Sequence, residues 1–255
     1  MSEMTTGFNT HTELWLSRYR PIAQPRLRLI CFAHAGGGPG VFRSWPDDLP
    51  GDVEVYGVRY PGRQDRLADA PIDRMRPLVT AVAEALEPLL DRPIAMFGHS
   101  MGAWVAYEVA NHLSEHRAVD IETLIVSGLV APHQREADPW RDDEELIREV
   151  TRLGGSDAEL FEHPELRELI LPPIRADFEL VRTYLPARPR RLNCPILACS
   201  GVRDPEAPEE GMRAWAELTT GRFARRSFDG AHFYLVDGQT AVLRELSAWL
   251  SSTSG

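Results

Sequence analysis

The stretch Ile94-Ala95-Met96-Phe97-Gly98-His99-Ser100-Met101-Gly102-Ala103 decides how this chain folds. Its four leading apolar residues predict a buried strand, and Gly-x-Ser-x-Gly predicts a sharp turn. The run Ala103-Trp104-Val105-Ala106-Tyr107-Glu108-Val109-Ala110 then predicts a helix rich in good helix formers. A serine on such a strand–turn–helix elbow has its hydroxyl lifted to the end of the strand, where a base can reach it. The lift matters because a serine hydroxyl is a weak nucleophile until its proton is removed. Side chains at the two flanking glycine positions would crowd the turn. Ser100 is therefore the candidate nucleophile.

Outward from the elbow, apolar runs alternate with helical patterns. Strands are expected over 27–32, 53–60, 94–97, 121–127, 196–200 and, more exposed, 222–228. Helices are expected over 79–90, 103–113, 212–218 and 242–250. Such alternation implies an α/β fold: a mostly parallel twisted sheet with helices on both faces. Ligands of these sheets bind beyond the carboxyl ends of the strands, where Ser100 falls. The connection from Ser127 to Pro195 is far longer than a crossover needs. It is charged, with helical patterns over 142–152, 158–161, 166–171 and 174–184, and Gly154-Gly155 and Pro172-Pro173 are expected to break it into pieces. The expected organisation is one domain, with core segments 26–130 and 186–251 and a helical lid inserted at 131–185. Residues 1–12 and 251–255 are expected to be disordered.

A serine nucleophile needs a histidine base and a carboxylate to orient it, and on this architecture they follow it in the order Ser, Asp/Glu, His. Of the eight histidines only His232 follows the last strand, in Asp229-Gly230-Ala231-His232-Phe233-Tyr234. The loop there returns to the carboxyl edge of the sheet. Two acids compete. Asp204 directly follows the strand 196–200, whereas Asp138 sits some ten residues past its strand in a polar run, so Asp204 is preferred. An oxyanion hole needs two backbone N–H groups. One is expected from Met101, the residue after the nucleophile, and the other from the loop Phe32-Ala33-His34-Ala35-Gly36-Gly37-Gly38. No Gly-Lys-Ser/Thr follows these glycines, so they do not form a phosphate loop.

Composition narrows the classes further. The net charge of −10, from 28 basic and 38 acidic residues, disfavours nucleic acid as a partner. There is no run of eighteen apolar residues to suggest a membrane partner, and residues 1–12 lack a secretory pattern, so a cytoplasmic location is expected. Cys31, Cys194 and Cys199 show no paired spacing and read as reduced core residues rather than a disulfide or metal site. Neither a cofactor nor a metal is expected.

Phe32-Ala33-His34-Ala35-Gly36-Gly37-Gly38, Tyr60-Pro61-Gly62-Arg63, Gly98-His99-Ser100-Met101-Gly102-Ala103 and Gly230-Ala231-His232-Phe233-Tyr234 together resemble the type II thioesterases, α/β-hydrolase-fold editing enzymes of polyketide and non-ribosomal peptide synthesis. Arg175-Ala176-Asp177-Phe178 resembles the lid segment of that family, and the likeness spans 27–250. The resemblance implies hydrolysis of stalled or mis-primed acyl groups from the phosphopantetheine arm of acyl or peptidyl carrier proteins. It also implies Ser100 as nucleophile, His232 as base, Asp204 as acid, and the amides of Ala35 and Met101 as oxyanion donors. A small-ester hydrolase or lipase, a chain-releasing thioesterase with its acid after the strand ending at Ser127, and a non-catalytic binding module are the rival readings. For an acidic carrier protein, Arg59, Arg63 and Arg66 are the expected docking charges. They leave a strand at its carboxyl end, whereas Arg188, Arg190 and Arg191 enter one at its amino end.

Overall fold

The computed structural model describes residues 10–135, 142–154, 161–186 and 189–253. Seven strands form one sheet: β1 (Leu16–Tyr19), β2 (Leu27–Phe32), β3 (Val53–Val58), β4 (Ile94–His99), β5 (Thr123–Ser127), β6 (Ile196–Gly201) and β7 (Phe223–Phe228). Their order is β1-β3-β2-β4-β5-β6-β7, and every pairing is parallel except that of β1 with β3. Every residue of β2 to β6 is buried, as expected of strands covered on both faces. β7, at the edge, keeps Arg226 and Ser227 exposed, and charge on an edge strand discourages pairing with a second chain.

The helices are α1 (Thr10–Trp15), α2 (Trp45–Asp48), α3 (Met75–Leu86), α4 (Met101–Arg117), α5 (Asp143–Leu153), α6 (Pro164–Thr183), α7 (Glu209–Arg213), α8 (Tyr234–Asp237) and α9 (Gln239–Ser252). α3 buries Met75, Leu78, Val79, Val82 and Leu86, the stripe a helix lays against a sheet. α4, by contrast, is buried along most of its length behind β4. Cys31, Cys194 and Cys199 are buried free thiols. Among the described residues, no helix is long and apolar enough to cross a membrane.

Three expectations need correction. Thr10–Thr12 and Ser251–Ser252 are helical rather than disordered. Thr12 Oγ1 donates to the Ala85 carbonyl at 3.0 Å, and Trp15 is buried, so the N-terminal segment is tied onto α3. The strand β1 was not expected, because Leu-Ser-Arg-Tyr is too short to carry an alternating pattern. The prolines Pro172 and Pro173 do not break the inserted region, since α6 runs through both. Each proline removes one donor, to the carbonyls of Glu168 and Leu169. Those residues are exposed, so water can take the place of the lost donors. Leu171, Pro173 and Ile174 are buried and hold the helix through this point. Part of the expected helix 158–161 lies outside the described residues.

The sheet positions the site through its order. The chain leaves β2 for β3 on one side and places β4 on the other, so the strand order reverses at β2 and the loops after β2 and β4 part there. Such a switch point is where open α/β sheets bind ligands. At this place a Cβ on Gly102 would lie 2.2 Å from the Phe32 carbonyl oxygen, and one on Gly98 2.1 Å from the Gly102 carbonyl oxygen. Gly102→Ala should therefore force backbone apart and destabilise the protein by at least about 1–3 kcal/mol, the usual cost of overpacking. A urea unfolding midpoint equal to that of the parent would contradict this close packing.

Candidate active site

Ser100 is the residue between β4 and α4. Its backbone, at φ 54° and ψ −126°, lies where L-residues are rarely found. Such a conformation costs of order 1–3 kcal/mol and persists only where the surroundings over-determine it. Here they do. The Ser100 N–H donates to the Ser127 carbonyl at 2.8 Å, the Ala103 N–H donates back to the Ser100 carbonyl at 2.8 Å, and the two flanking glycines admit the neighbouring backbone. Met101, as the first residue of α4, has an N–H without an intrahelical acceptor. The expected pair of oxyanion donors comes together: Ala35 and Met101 line one cavity with Ser100.

β5, β6 and β7 follow β4 across the sheet in order, so their carboxyl ends align beside the elbow. Asp204 sits in the turn after β6, where its N–H donates to the Gly201 carbonyl at 3.2 Å. His232 sits in the loop after β7. The two loops touch closely, since a Cβ on Gly201 would meet the Ala231 carbonyl oxygen at 2.3 Å. His232 Nδ1 lies 3.0 Å from each carboxylate oxygen of Asp204. Both side chains are almost fully buried. An ionised carboxylate can only accept, so against it Nδ1 carries the hydrogen and Nε2 keeps the lone pair. The His232 ring stands 4.9 Å, between centroids, from that of His99, the residue before Ser100. Asp138, the rival acid, lies outside the described residues.

Residues 27–250 match the family model described as Thioesterase domain. The chain belongs to the thioesterase family. It is 37% identical to thioesterase PikA5 of Streptomyces venezuelae, over 97% of this chain and 89% of that one. Among solved structures it is similar to the type II thioesterase BorB from the borrelidin biosynthetic cluster, at 36% identity and a TM-score of 0.84, covering 94% of this chain and 99% of the other. It is also similar to the RedJ thioesterase of the prodiginine pathway in Streptomyces coelicolor, at 38% identity and a TM-score of 0.81, covering 90% of this chain and 91% of the other. The expected α/β-hydrolase fold and thioesterase family are those of these relatives.

The cavity of this thioesterase is about 560 Å³. Trp104, Leu129, Val130, Phe178 and Val181 give it apolar walls, and Arg135, Glu149, Arg182 and Glu206 add charge. Trp104 is locked in place: its Nε1–H donates to the Val130 carbonyl at 2.8 Å, and its ring stands 5.4 Å from that of Tyr184. A second hollow of about 1050 Å³ lies between α3, α4 and residues 183–186 and 189–190 and includes none of Ser100, Asp204 and His232.

Of the arginines expected to dock a partner, Arg63 and Arg66 are buried and Arg59 is partly exposed, and all three have partners within the chain. Arg63 is buried against Asp177. Arg66 is buried over the Trp15 ring, 4.3 Å from its centroid, with Nε donating to Asp69 at 2.7 Å. Arg59 donates to Ser17 Oγ at 2.8 Å and pairs with Asp65. Of the rival group, Arg190 pairs with Glu115 and Arg191 donates to the Glu217 carbonyl, while Arg188 lies outside the described residues.

The thioesterase also has a polar cluster behind the elbow that its sequence does not announce. His99 Nδ1 lies 2.9 Å from Ser127 Oγ, which lies 2.7 Å from the Tyr234 hydroxyl. His99 Nε2 is buried without a hydrogen-bond partner. Burial, with His232 and His34 nearby, holds His99 well below the ordinary histidine range. Burial, with His232 and Arg63 nearby, pushes His34 down to about 3. An unfolded histidine takes up its proton near pH 6.5, while native His99 stays neutral. Below about pH 6.5 the unfolded chain therefore binds more protons than the native one, and His99 erodes stability by up to ~1.4 kcal/mol per pH unit. His99→Gln should flatten the loss of unfolding free energy between pH 6.5 and 5. Equal slopes in urea titrations of parent and variant would mean His99 is not held neutral.

Proposed function

We propose that Ser100, His232 and Asp204 form the catalytic triad of this thioesterase and that it clears acyl groups from the phosphopantetheine arm of acyl or peptidyl carrier proteins. The observation that carries the triad is the His232–Asp204 pair, buried beside an elbow whose serine is held in a strained backbone. His232 Nε2 takes the Ser100 hydroxyl proton as Oγ attacks the thioester carbonyl carbon. The carbonyl oxygen gains the negative charge, and in this reading the N–H groups of Met101 and Ala35 donate hydrogen bonds to it. Collapse expels the pantetheine sulfur, which leaves as the thiol with the proton from His232. Water, giving its proton to the same imidazole, then attacks the acyl-serine; the bond to Ser100 Oγ breaks, Oγ takes the proton back from His232, and the acid is released. Asp204 holds the ring orientation and stabilises the imidazolium at both stages.

The carrier-protein substrate is supported by similarity to YbtT, a type II thioesterase from the yersiniabactin NRPS/PKS biosynthetic pathway, 30% identical with a TM-score of 0.84 over 94% of this chain and 100% of the other. Pairing of Asp204 with His232 favours the editing reading over a chain-releasing enzyme whose acid follows β5. Residues 131–185 act in this reading as a lid: α6 supplies Phe178 and Val181 to the cavity wall, and a long pantetheine arm needs an opening beside them.

Ser100→Ala should fold like the parent and lose at least about a thousandfold in kcat, with a residue of activity from the oxyanion hole. Hydrolysis of an acyl thioester within threefold of the parent would reject Ser100 as nucleophile. Asp204→Asn should cost far more turnover than Asp138→Asn, because an amide cannot hold the imidazole tautomer. The reverse ranking would move the acid to the loop after β5. Amide exchange over 161–186 should be faster than over β4, since lids are drawn from the less stable parts of a fold. Equal protection would argue against gating.

A further inference from the structure

Among the described residues, a buried ion pair joins α6 of the insertion to the loop after β3 and lies against the loop after β2. Asp177, on α6, is almost fully buried. Its Oδ2 accepts the Gly36 N–H at 2.7 Å. Arg63 donates to the same carboxylate through both terminal nitrogens, Nη1 to Oδ2 at 2.5 Å and Nη2 to Oδ1 at 2.8 Å. Arg63 Nη1 also donates to the Gly37 carbonyl at 3.1 Å. One turn earlier on α6, Ile174 presses on the same loop, and a Cβ on Gly36 would lie 2.9 Å from Ile174 Cγ1. Behind the loop, Gly37 N–H donates to the His34 carbonyl at 2.9 Å. The 35–36 peptide is thus held from the α6 side by a carboxylate, and the turn bond ties the peptides on either side of it, 34–35 through the His34 carbonyl and 36–37 through the Gly37 N–H; the Ala35 N–H belongs to the first of these.

A buried ion pair is weak grounds for a stabilising role, because apolar residues of similar volume often serve as well or better. An apolar pair here would keep α6 packed. It would not accept the Gly36 N–H. That acceptor is what the carboxylate adds, and Arg63 makes its burial tolerable.

We propose that Asp177 is a positioning residue of the oxyanion hole: by holding the Gly36 N–H from α6, with Arg63 as its counter-charge, it sets the direction of the Ala35 N–H, so the hole is complete only while α6 is seated. This rests on Ala35 being an oxyanion donor, as in the function proposed above.

The test uses the full chain and two double variants. R63M/D177L removes the charges and the acceptor while keeping bulk, and R63Q/D177N removes the charges but keeps an acceptor. With an acyl-N-acetylcysteamine thioester, R63M/D177L should lose roughly 10–100-fold in kcat, short of the 10²–10³ that full loss of a donor costs, with KM within about threefold of the parent. R63Q/D177N should recover most of that loss. The decisive readout is the ratio of affinities for two inhibitors of equal chain length, a trifluoromethyl ketone that forms an oxyanion on Ser100 and a thioether without a carbonyl. The ketone should weaken by the same factor as kcat and the thioether should hardly change. Parent-like kcat in folded R63M/D177L, equal kcat in the two double variants, or equal weakening of both inhibitors would overturn the proposal. If R63M/D177L does not fold, R63M/D177A, which also lacks the acceptor, carries the test through the same ratio, and an unchanged ratio overturns it. A parent that shows no preference for the ketone, or Ser100→Ala that keeps one, overturns the serine and oxyanion assignment itself, and the positioning role with it.

Discussion

Everything at the active site hangs on backbone meeting backbone where α4 leaves the sheet. The contact exists because Gly98 and Gly102 lack side chains, and it lets the first turn of α4 lie against the carbonyls of Phe32 and Ala33 at the end of β2. Three things follow from that one approach. Ser100 is bent into a conformation it would not choose alone. The N–H of Met101 is brought beside the loop that carries Ala35. The strain has no soft neighbour to relax into, because β4 is central in the sheet, paired in register with β2 on one side and β5 on the other. The proposed nucleophile is therefore held in strain by a central, buried strand, and the proposed base and acid need only be delivered by loops from the next strands along.

Charge is handled by the same economy. Glu54, on β3, is fully buried, yet it accepts from Arg18 Nε at 2.8 Å, the Ile22 N–H at 2.7 Å and the Tyr56 hydroxyl at 2.8 Å. That satisfied carboxylate pins the antiparallel edge strand β1 to β3. Asp177 repeats the design across the site, with Arg63 and Gly36 as donors. In both cases arginine supplies a two-pronged donor that lysine cannot. The arginines that leave β3 likewise have partners within the chain: Arg63 pairs with Asp177, Arg66 with Asp69 and Arg59 with Asp65.

How much of this was legible depended on whether the determinant was local. The elbow, β2 to β7, the loop glycines and the order Ser, Asp, His could all be read because each is written in contiguous residues whose spacing has one physical meaning. β2 came out at the expected residues, and Asp204 and His232 met because strand order carries loops to a common edge. What could not be read was non-local. Arg63 and Asp177 are 114 residues apart, and nothing in either segment alone says that they pair. Ser127 and Tyr234, 107 apart, are silent in the same way. α6 misled for a different reason: two prolines locally argue for a break, and only the burial of Leu171, Pro173 and Ile174 shows why the helix continues.

The cavity walls join these themes. Trp104 belongs to the main core and is fixed at its indole nitrogen, and the Tyr184 hydroxyl that backs it is bonded to Glu108. Phe178 and Val181, on the other wall, belong to α6; Val181 packs on the main core, whereas Phe178 packs on a small separate cluster of Leu146, Phe161, Leu171 and Ile174. In the function proposed above, the acyl chain lies between a wall on the main core and one shared with the small cluster. Apolar walls discriminate weakly, about 1–3 kcal/mol per methylene. An enzyme proposed to clear varied stray acyl groups gains from that tolerance only if the reacting carbonyl is held without tolerance. Anchoring α6 through Asp177, at the carbonyl end, while leaving its Phe178 face on the small cluster, separates the two demands within a single helix.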